Sequence, residues 1–210
     1  MFSKNLSKVV IAFLSGVFAS HIAYKIFRKK NQRREIHEVI MFSSNDCDAA
    51  ELKRSKFSRC MISESMDRLL YYLHSPRQSI DICMYVMTNV DLINAILKLH
   101  IRGIQIRVIL DADMAFSSGS AMGRLAKHKI PVRWMKSTNF MHHKFCLIDT
   151  RTEDVRYTPV VILGSLNWTN QALSGNWEDV GVTSQRQFVE QYKIEFERMW
   201  LQFKPIVDMS

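Results

Sequence analysis

The 32 residues Ser79–Leu110, SIDICMYVMTNVDLINAILKLHIRGIQIRVIL, decide the fold. Ser79 to Met87 is a β-rich run, Asp91 to Arg102 reads as a helix opened by an aspartate cap, Gly103 stops it, and Ile104 to Leu110 returns to strand. Working outward, a helix carrying Ile62, Met66, Leu69, Leu70 and Leu73 precedes this unit. After it come a Ser/Gly loop (Ser117 to Ser120), a helix to about Lys129 and a strand Pro131 to Met135. Helix and strand keep alternating, which predicts an α/β layer structure with a mixed, mostly parallel central sheet flanked by helices. Further strands are predicted at Glu38 to Phe42, His142 to Asp149, Pro159 to Gly164 and Trp177 to Val182. A last helix, about Gln185 to Gln202, carries Phe188, Val189, Tyr192, Phe196, Met199, Trp200 and Phe203 at helical spacing, a packing stripe rather than a ligand site.

The chain of 210 residues is long enough for one globular domain and a short appendage. Its 29 Lys and Arg against 20 Asp and Glu give a formal charge of +9, which favours polyanionic partners such as nucleic acid or acidic lipid. Much of that excess lies in Arg28, Lys29, Lys30, Arg33 and Arg34. The stretch before it, Val9 to Phe27, is almost uncharged and as long as a bilayer core requires. Residues 9–27 therefore read as a transmembrane anchor after a tail of residues 1–8, with the basic run marking the cytosolic side. A cleaved secretory signal, with Val17 and Ala19 before the cut, is the competing reading. Residues 28–60 form a basic juxtamembrane segment and irregular insertion, and residues 61–210 the globular domain. The cysteines at 47, 60, 83 and 146 form no dense framework, so a reducing compartment fits better, and Cys83 and Cys146 read as buried core thiols.

Chemistry concentrates in Met141-His142-His143-Lys144-Phe145-Cys146-Leu147-Ile148-Asp149 and Gly164-Ser165-Leu166-Asn167-Trp168-Thr169. Alternation puts His142 and Lys144 on one face of a strand and His143 on the other. An ammonium neutralises phosphoryl oxygens while an imidazole attacks or moves a proton near neutral pH, so the pair suits a phosphate. Ser165 and Asn167 offer a hydroxyl and an amide to complete the cradle. Alternation leaves open which of Glu178 and its neighbour Asp179 shares a face with the other polar residues of its strand. Arg102, Arg107, Lys127, Lys129, Arg133 and Lys136 are either groove cations for a phosphate backbone or scattered surface charge. Asp111 and Asp113 read as capping a loop at a strand end.

These residues match, in identity and order, the signature of the phospholipase D superfamily: His-x-Lys, four residues, Asp, then Gly-Ser-x-Asn. The resemblance covers most of the chain after Ser63, and the strings around His142 and Ser165 look like the mitochondrial branch of that superfamily. It implies that His142 forms a covalent phosphohistidine while its two-fold mate protonates the leaving oxygen and then activates water. Lys144 and Asn167, with Ser165 nearby, would hold the phosphate; Glu178 would fix the tautomer of His142; Asp149 would order the loop behind the site. No cofactor or metal is required. Since the chain carries one copy of the motif where the mechanism needs two, the resemblance implies a homodimer.

Two departures stand out. Fourteen residues, Thr150 to Leu163, separate Asp149 from Gly164 where the usual signature has six, which predicts a lengthened loop beside the site. The mitochondrial branch tends to carry a structural zinc insertion, but here only Cys47 and Cys60 are plausible ligands, with His37 at a distance, and two thiolates fall short of a four-ligand site. By resemblance the expected activities are a single-strand-selective endoribonuclease of the mitochondrial outer membrane that cuts precursors of piRNA, or a cardiolipin hydrolase producing phosphatidic acid. The partner is accordingly single-stranded RNA or an anionic phospholipid; a catalytically idle membrane scaffold is the rival from another class.

Overall fold

The computed structural model describes residues 13–25, 35–43, 52–152, 154 and 156–205. The chain divides into two units, residues 1–35 and 36–210. In the first, residues 13–25 form a helix, α1, with Phe13, Leu14, Val17 and Phe18 exposed. No described helix is long and apolar enough to cross a membrane. Residues 9–12 and 26–27 of the expected anchor, and the basic run at 28–34, lie outside the described residues, as does Cys47.

The second unit holds strands β1 (His37–Phe42), β2 (Lys53–Arg54), β3 (Met61–Ile62), β4 (Ser79–Met84), β5 (Gln105–Leu110), β6 (Val132–Trp134), β7 (Lys144–Ile148), β8 (Val160–Gly164), β9 (Glu178–Thr183) and β10 (Lys204–Pro205). Its helices are α2 (Glu64–Leu73), α3 (Val90–Ile101), α4 (Ala112–Ala115), α5 (Met122–Lys127), α6 (Asn170–Ser174) and α7 (Arg186–Gln202). An eight-stranded sheet runs β1-β9-β8-β7-β4-β5-β6-β10, and β2 pairs with β3 apart from it.

The sheet is mixed, but it is not mostly parallel as expected. Of its seven pairings only β4 with β5 and β5 with β6 are parallel. Helical crossovers bring the chain back in the same direction between those strands, whereas β7 turns back into β8 through the 149–159 loop and pairs antiparallel. The helix expected to open at Asp91 starts at Val90, because Asn89 is the cap: its side chain accepts from the Leu92 amide at 2.9 Å.

Alternation along β4 divides the core. Ile80, Ile82 and Met84 join the apolar layer built with α2 and α3, while Cys83 joins Phe145, Leu147, Val161, Val189, Phe196 and Met199 beneath α7. Cys83 and Cys146 are both buried. On the α7 side Asp81, 1 % exposed, takes a bidentate pair of hydrogen bonds from Arg107, both at 2.8 Å. Arg107 also donates to Glu197 of α7 at 2.5 and 3.1 Å and stacks over Phe196 and Trp200. The stripe of α7 is therefore a packing face at Val189, Phe196 and Met199, held by Arg107 and by Arg133, which lies 4.3 Å over the Trp200 ring, while Phe188 stays exposed.

Candidate active site

Lys144 opens β7 directly opposite Met84, the last residue of β4. His142 lies two residues before the strand rather than within it. Its placement comes from Met141, whose backbone N–H donates to buried Asp111 at 2.9 Å, and from the Tyr85 ring 4.6 Å away, centroid to centroid. The Lys144 ammonium lies 3.2 Å from His142 Nδ1 and 3.3 Å from Nε2, and donates to the His142 carbonyl at 2.9 Å. It also sits 5.2 Å above the Tyr85 ring. Partial burial lowers the Lys144 pKa, opposed by the charge of Glu178. His142 itself is exposed. A histidine and a lysine thus point together at open solvent, where a phosphate could engage both.

The second motif reaches the same edge of the sheet because β8 lies beside β7, with Leu163 opposite Phe145. Gly164 is required there by close approach: a Cβ on it would meet the Asp179 carbonyl oxygen at 2.1 Å. That contact lets the Ser165 N–H donate to Asp179 O at 3.1 Å and the Ser165 hydroxyl accept from Asp179 N at 3.1 Å. The Ser165 hydroxyl in turn donates to the Glu178 carboxylate, which Asn176 also engages at 2.8 Å. Glu178 therefore holds Ser165 in this chain; its hydrogen bonds among the described residues go there and to Asn176, not to the His142 ring expected by resemblance. Asn167 Oδ1 is buried without a hydrogen-bond partner, and a half-turn of the amide would present the Nδ2 donor instead.

Asp149, grouped with the catalytic residues by the motif, sits at the opposite end of β7, roughly 16 Å along the strand at ~3.3 Å per residue. It is buried and takes hydrogen bonds from the amides of Arg77, Gln78 and Ser79, at 3.1, 2.7 and 3.0 Å to Oδ1. The long 150–159 connection leaves from that end too, so it is not beside His142 as expected. Sequence proximity misleads because a five-residue strand spans the whole sheet.

Three of the proposed groove cations are committed elsewhere: Arg107 to Asp81 and Glu197, Arg102 to the carbonyls of His74 and Pro76, and Arg133 to that of Trp200. Tyr85 is the residue sequence reading missed; it stands in the apolar run after β4, where nothing but its place past the strand end separates it from core. Asp111 caps α4 through the Asp113 amide at 3.1 Å and, beyond that loop role, positions Met141. Among the described residues no group of His, Cys, Asp and Glu is placed to hold a metal, and Cys60 is an exposed free thiol.

A groove of about 460 Å³ runs from His142 towards the C-terminal half of α7, lined by Ser137, Asn139, His143 and Arg198 as well as Met135 and Phe140. Comparison with known proteins gives the site its context. A family profile described as "Cardiolipin synthase, PLD-like domain" matches residues 69–200. The human protein named mitochondrial cardiolipin hydrolase is 40% identical over 189 residues, covering 84% of this chain and 72% of its own. The Drosophila melanogaster protein of the same name is 33% identical over 94% of this chain and 89% of its own. Among solved structures, the phospholipase D family member Nuc from Salmonella typhimurium shares the fold at a TM-score of 0.64 and 20% identity, covering 82% of this chain and 98% of Nuc. The chain belongs to the phospholipase D superfamily of phosphodiesterases, in the branch whose relatives are named mitochondrial cardiolipin hydrolase.

Proposed function

We propose that this enzyme hydrolyses cardiolipin at a mitochondrial membrane, releasing phosphatidic acid. The names of its relatives support the substrate and the compartment, and one observation carries the chemistry: an ammonium 3.2 to 3.3 Å from both nitrogens of an exposed imidazole. In the reading proposed here, Lys144 neutralises the phosphate while a ring nitrogen of His142 attacks phosphorus and the leaving glycerol oxygen takes a proton from the partner subunit's copy of the same histidine. Water activated by that second histidine then cleaves the phosphohistidine. Asn167 completes the oxygen cradle, with Ser165 held beside it by Glu178, and no metal takes part. The chain supplies one such pair, so the working form is a homodimer. Residues 9–27 anchor it in the outer membrane, with the catalytic domain on the cytosolic side.

A single-strand-selective endoribonuclease acting in piRNA production is the second reading. The groove beside His142 favours it by being open rather than closed into an acyl channel; its lining is mixed, with Ser137 and Asn139 beside Met135 and Phe140 and with Arg198 paired to Glu195. Both substrates are phosphodiesters, so the catalytic pair serves either. Side-by-side turnover of cardiolipin vesicles and single-stranded RNA by the full chain, in chelator and against a His142→Asn control, separates them. Release of phosphatidic acid that His142→Asn abolishes is the expected result; cleavage confined to RNA would transfer the function to the second reading. Titrating His142→Asn into the parent protein should depress activity more than dilution does, whereas strictly proportional activity would remove the shared site.

A further inference from the structure

We propose that the catalytic edge of the domain is itself a bilayer-docking rim, in which Phe116, Met135, Phe140 and Trp177 enter the interfacial layer of an anionic membrane and set the lipid phosphate at the depth of His142. The inference rests on the cardiolipin reading and deepens it by naming how the site meets that substrate.

The register of the sheet places these side chains together. Met84 lies opposite both Lys144 and Leu110, and Gly164 opposite Val180. The connections leaving β5, β6 and β8, and the residues that lead into β7 and β9, therefore gather at one edge of the sheet. Phe116 is on the connection after β5, Met135 and Phe140 on the one from β6 to β7, and Trp177 immediately before β9. They are 56 %, 38 %, 65 % and 77 % exposed. A lone exposed apolar residue needs no explanation, but large apolar side chains at the tips of three connections around one catalytic pair do.

Their chemistry fits a bilayer surface. Tryptophan and phenylalanine combine large apolar area with a preference for the headgroup boundary, and such side chains with interspersed cations bind anionic lipid surfaces. Lys136 supplies the cation: it stands exposed in the loop 135–140, MKSTNF, in which every residue is exposed. The phosphate of a lipid is fixed at headgroup depth, and His142 lies at the protein surface rather than at the end of a tunnel. The enzyme must come to the phosphate, and apolar tips flanking the imidazole would set how deeply it settles.

The full chain, reconstituted in phosphatidylcholine vesicles containing cardiolipin, tests this with Phe116→Ser combined with Trp177→Ser, and with Phe116→Leu combined with Trp177→Phe. Turnover of cardiolipin and of the water-soluble diester bis(p-nitrophenyl) phosphate is followed in the same vesicles. The serine pair should lose at least about tenfold in cardiolipin turnover, as expected from two lost apolar anchors, with soluble-diester turnover unchanged, and the apolar pair should retain both activities. Brominated lipid should quench the parent protein more than Trp177→Phe. Equal loss on both diesters, unchanged lipid turnover, or absence of the quenching difference overturns the rim. A fall in dimer content with the serine pair would show that a second copy covers this surface, and selective loss of single-stranded RNA cleavage that a base does; either result overturns it as well. If the parent protein turns over the soluble diester but not cardiolipin, the cardiolipin reading fails while quenching of Trp177 still decides whether the rim meets the membrane.

Discussion

The two ends of β7 carry residues of a single motif and treat their polar groups in opposite ways. At one end Lys144 opens the strand with His142 exposed before it, and in the neighbouring segment the side-chain Oδ1 of Asn167 is buried without a partner. At the other, Asp149 is buried and its carboxylate is engaged by three successive backbone amides. A buried anion with such donors gains stability, whereas a polar group kept free of internal partners remains able to bind something else. The same short strand thus serves stability at one edge of the sheet and chemistry at the other.

Substitutions at the two ends should separate these contributions, and the widest separation is the largest effect expected. His142→Asn should reduce phosphodiester turnover by more than about a thousandfold, since it removes the nucleophile, while the thermal midpoint stays where it was. Asp149→Ala should do the reverse, because three amides lose their acceptor at a cost of about 2–4 kcal/mol, with the surviving folded protein keeping most of its turnover. Differential scanning calorimetry beside a soluble-diester assay reads both. If Asp149→Ala abolished turnover in protein shown to be folded, the far end would belong to the catalytic machinery after all.

Gly164→Ala sharpens the contrast from the neighbouring strand. Its added methyl would sit 2.1 Å from the Asp179 carbonyl, so β8 and β9 must separate. We expect a loss of about 1–3 kcal/mol, the usual range for overpacking, together with lower turnover because Ser165 and Glu178 shift with the strands. Ala at Gly181, where the nearest atom is the Leu163 carbonyl at 3.8 Å, should be tolerated by comparison. Equal effects at the two glycines would mean that the close approach at Gly164 has no special role.

How much of this was legible in the sequence follows from what alternation can encode. Period-two patterning identifies which face a strand residue occupies, and so it paired His142 with Lys144 and set His143 apart. It carries nothing about which edge of the sheet a strand end reaches, and for that reason it puts the lengthened connection after Asp149 beside the site, although the loop-ordering role expected of Asp149 matches the amides it holds. The direction of neighbouring strands is equally hidden: the apolar runs of β7 and β8 read as buried strands, and only the return between them, with no helix among its described residues, makes their pairing antiparallel. Tyr85 escaped notice because a tyrosine following a buried strand looks like core, and its place against His142 depends on β4 and β7 pairing across 60 residues of sequence. Sequence pattern does not separate the Asn89 cap from Asp91, two positions on, because both residue types cap helices well.

The smallest effect tests the far side of the contrast by pH. Glu197 has its pKa lowered, first by the hydrogen bonds from Arg107 and against the opposing effect of burial. A carboxyl whose folded pKa lies below its unfolded value stabilises the fold fully above the unfolded value and loses that contribution as pH falls through the folded one. Part of the Arg107–Glu197 pair is open to solvent, since the Glu197 side chain is 41% exposed, so screening limits its worth to about 1 kcal/mol or less. Glu197→Gln should therefore lower stability slightly at neutral pH and flatten the decline below about pH 4.5, as linkage requires. Asp81 holds Arg107 from the buried side in either case. Denaturant titrations of both proteins from neutral to acid pH would show the two curves converging as the carboxyl protonates. A constant gap across that range would mean that packing of the Glu197 stem against α7's neighbours, rather than its charge, is what the substitution removes.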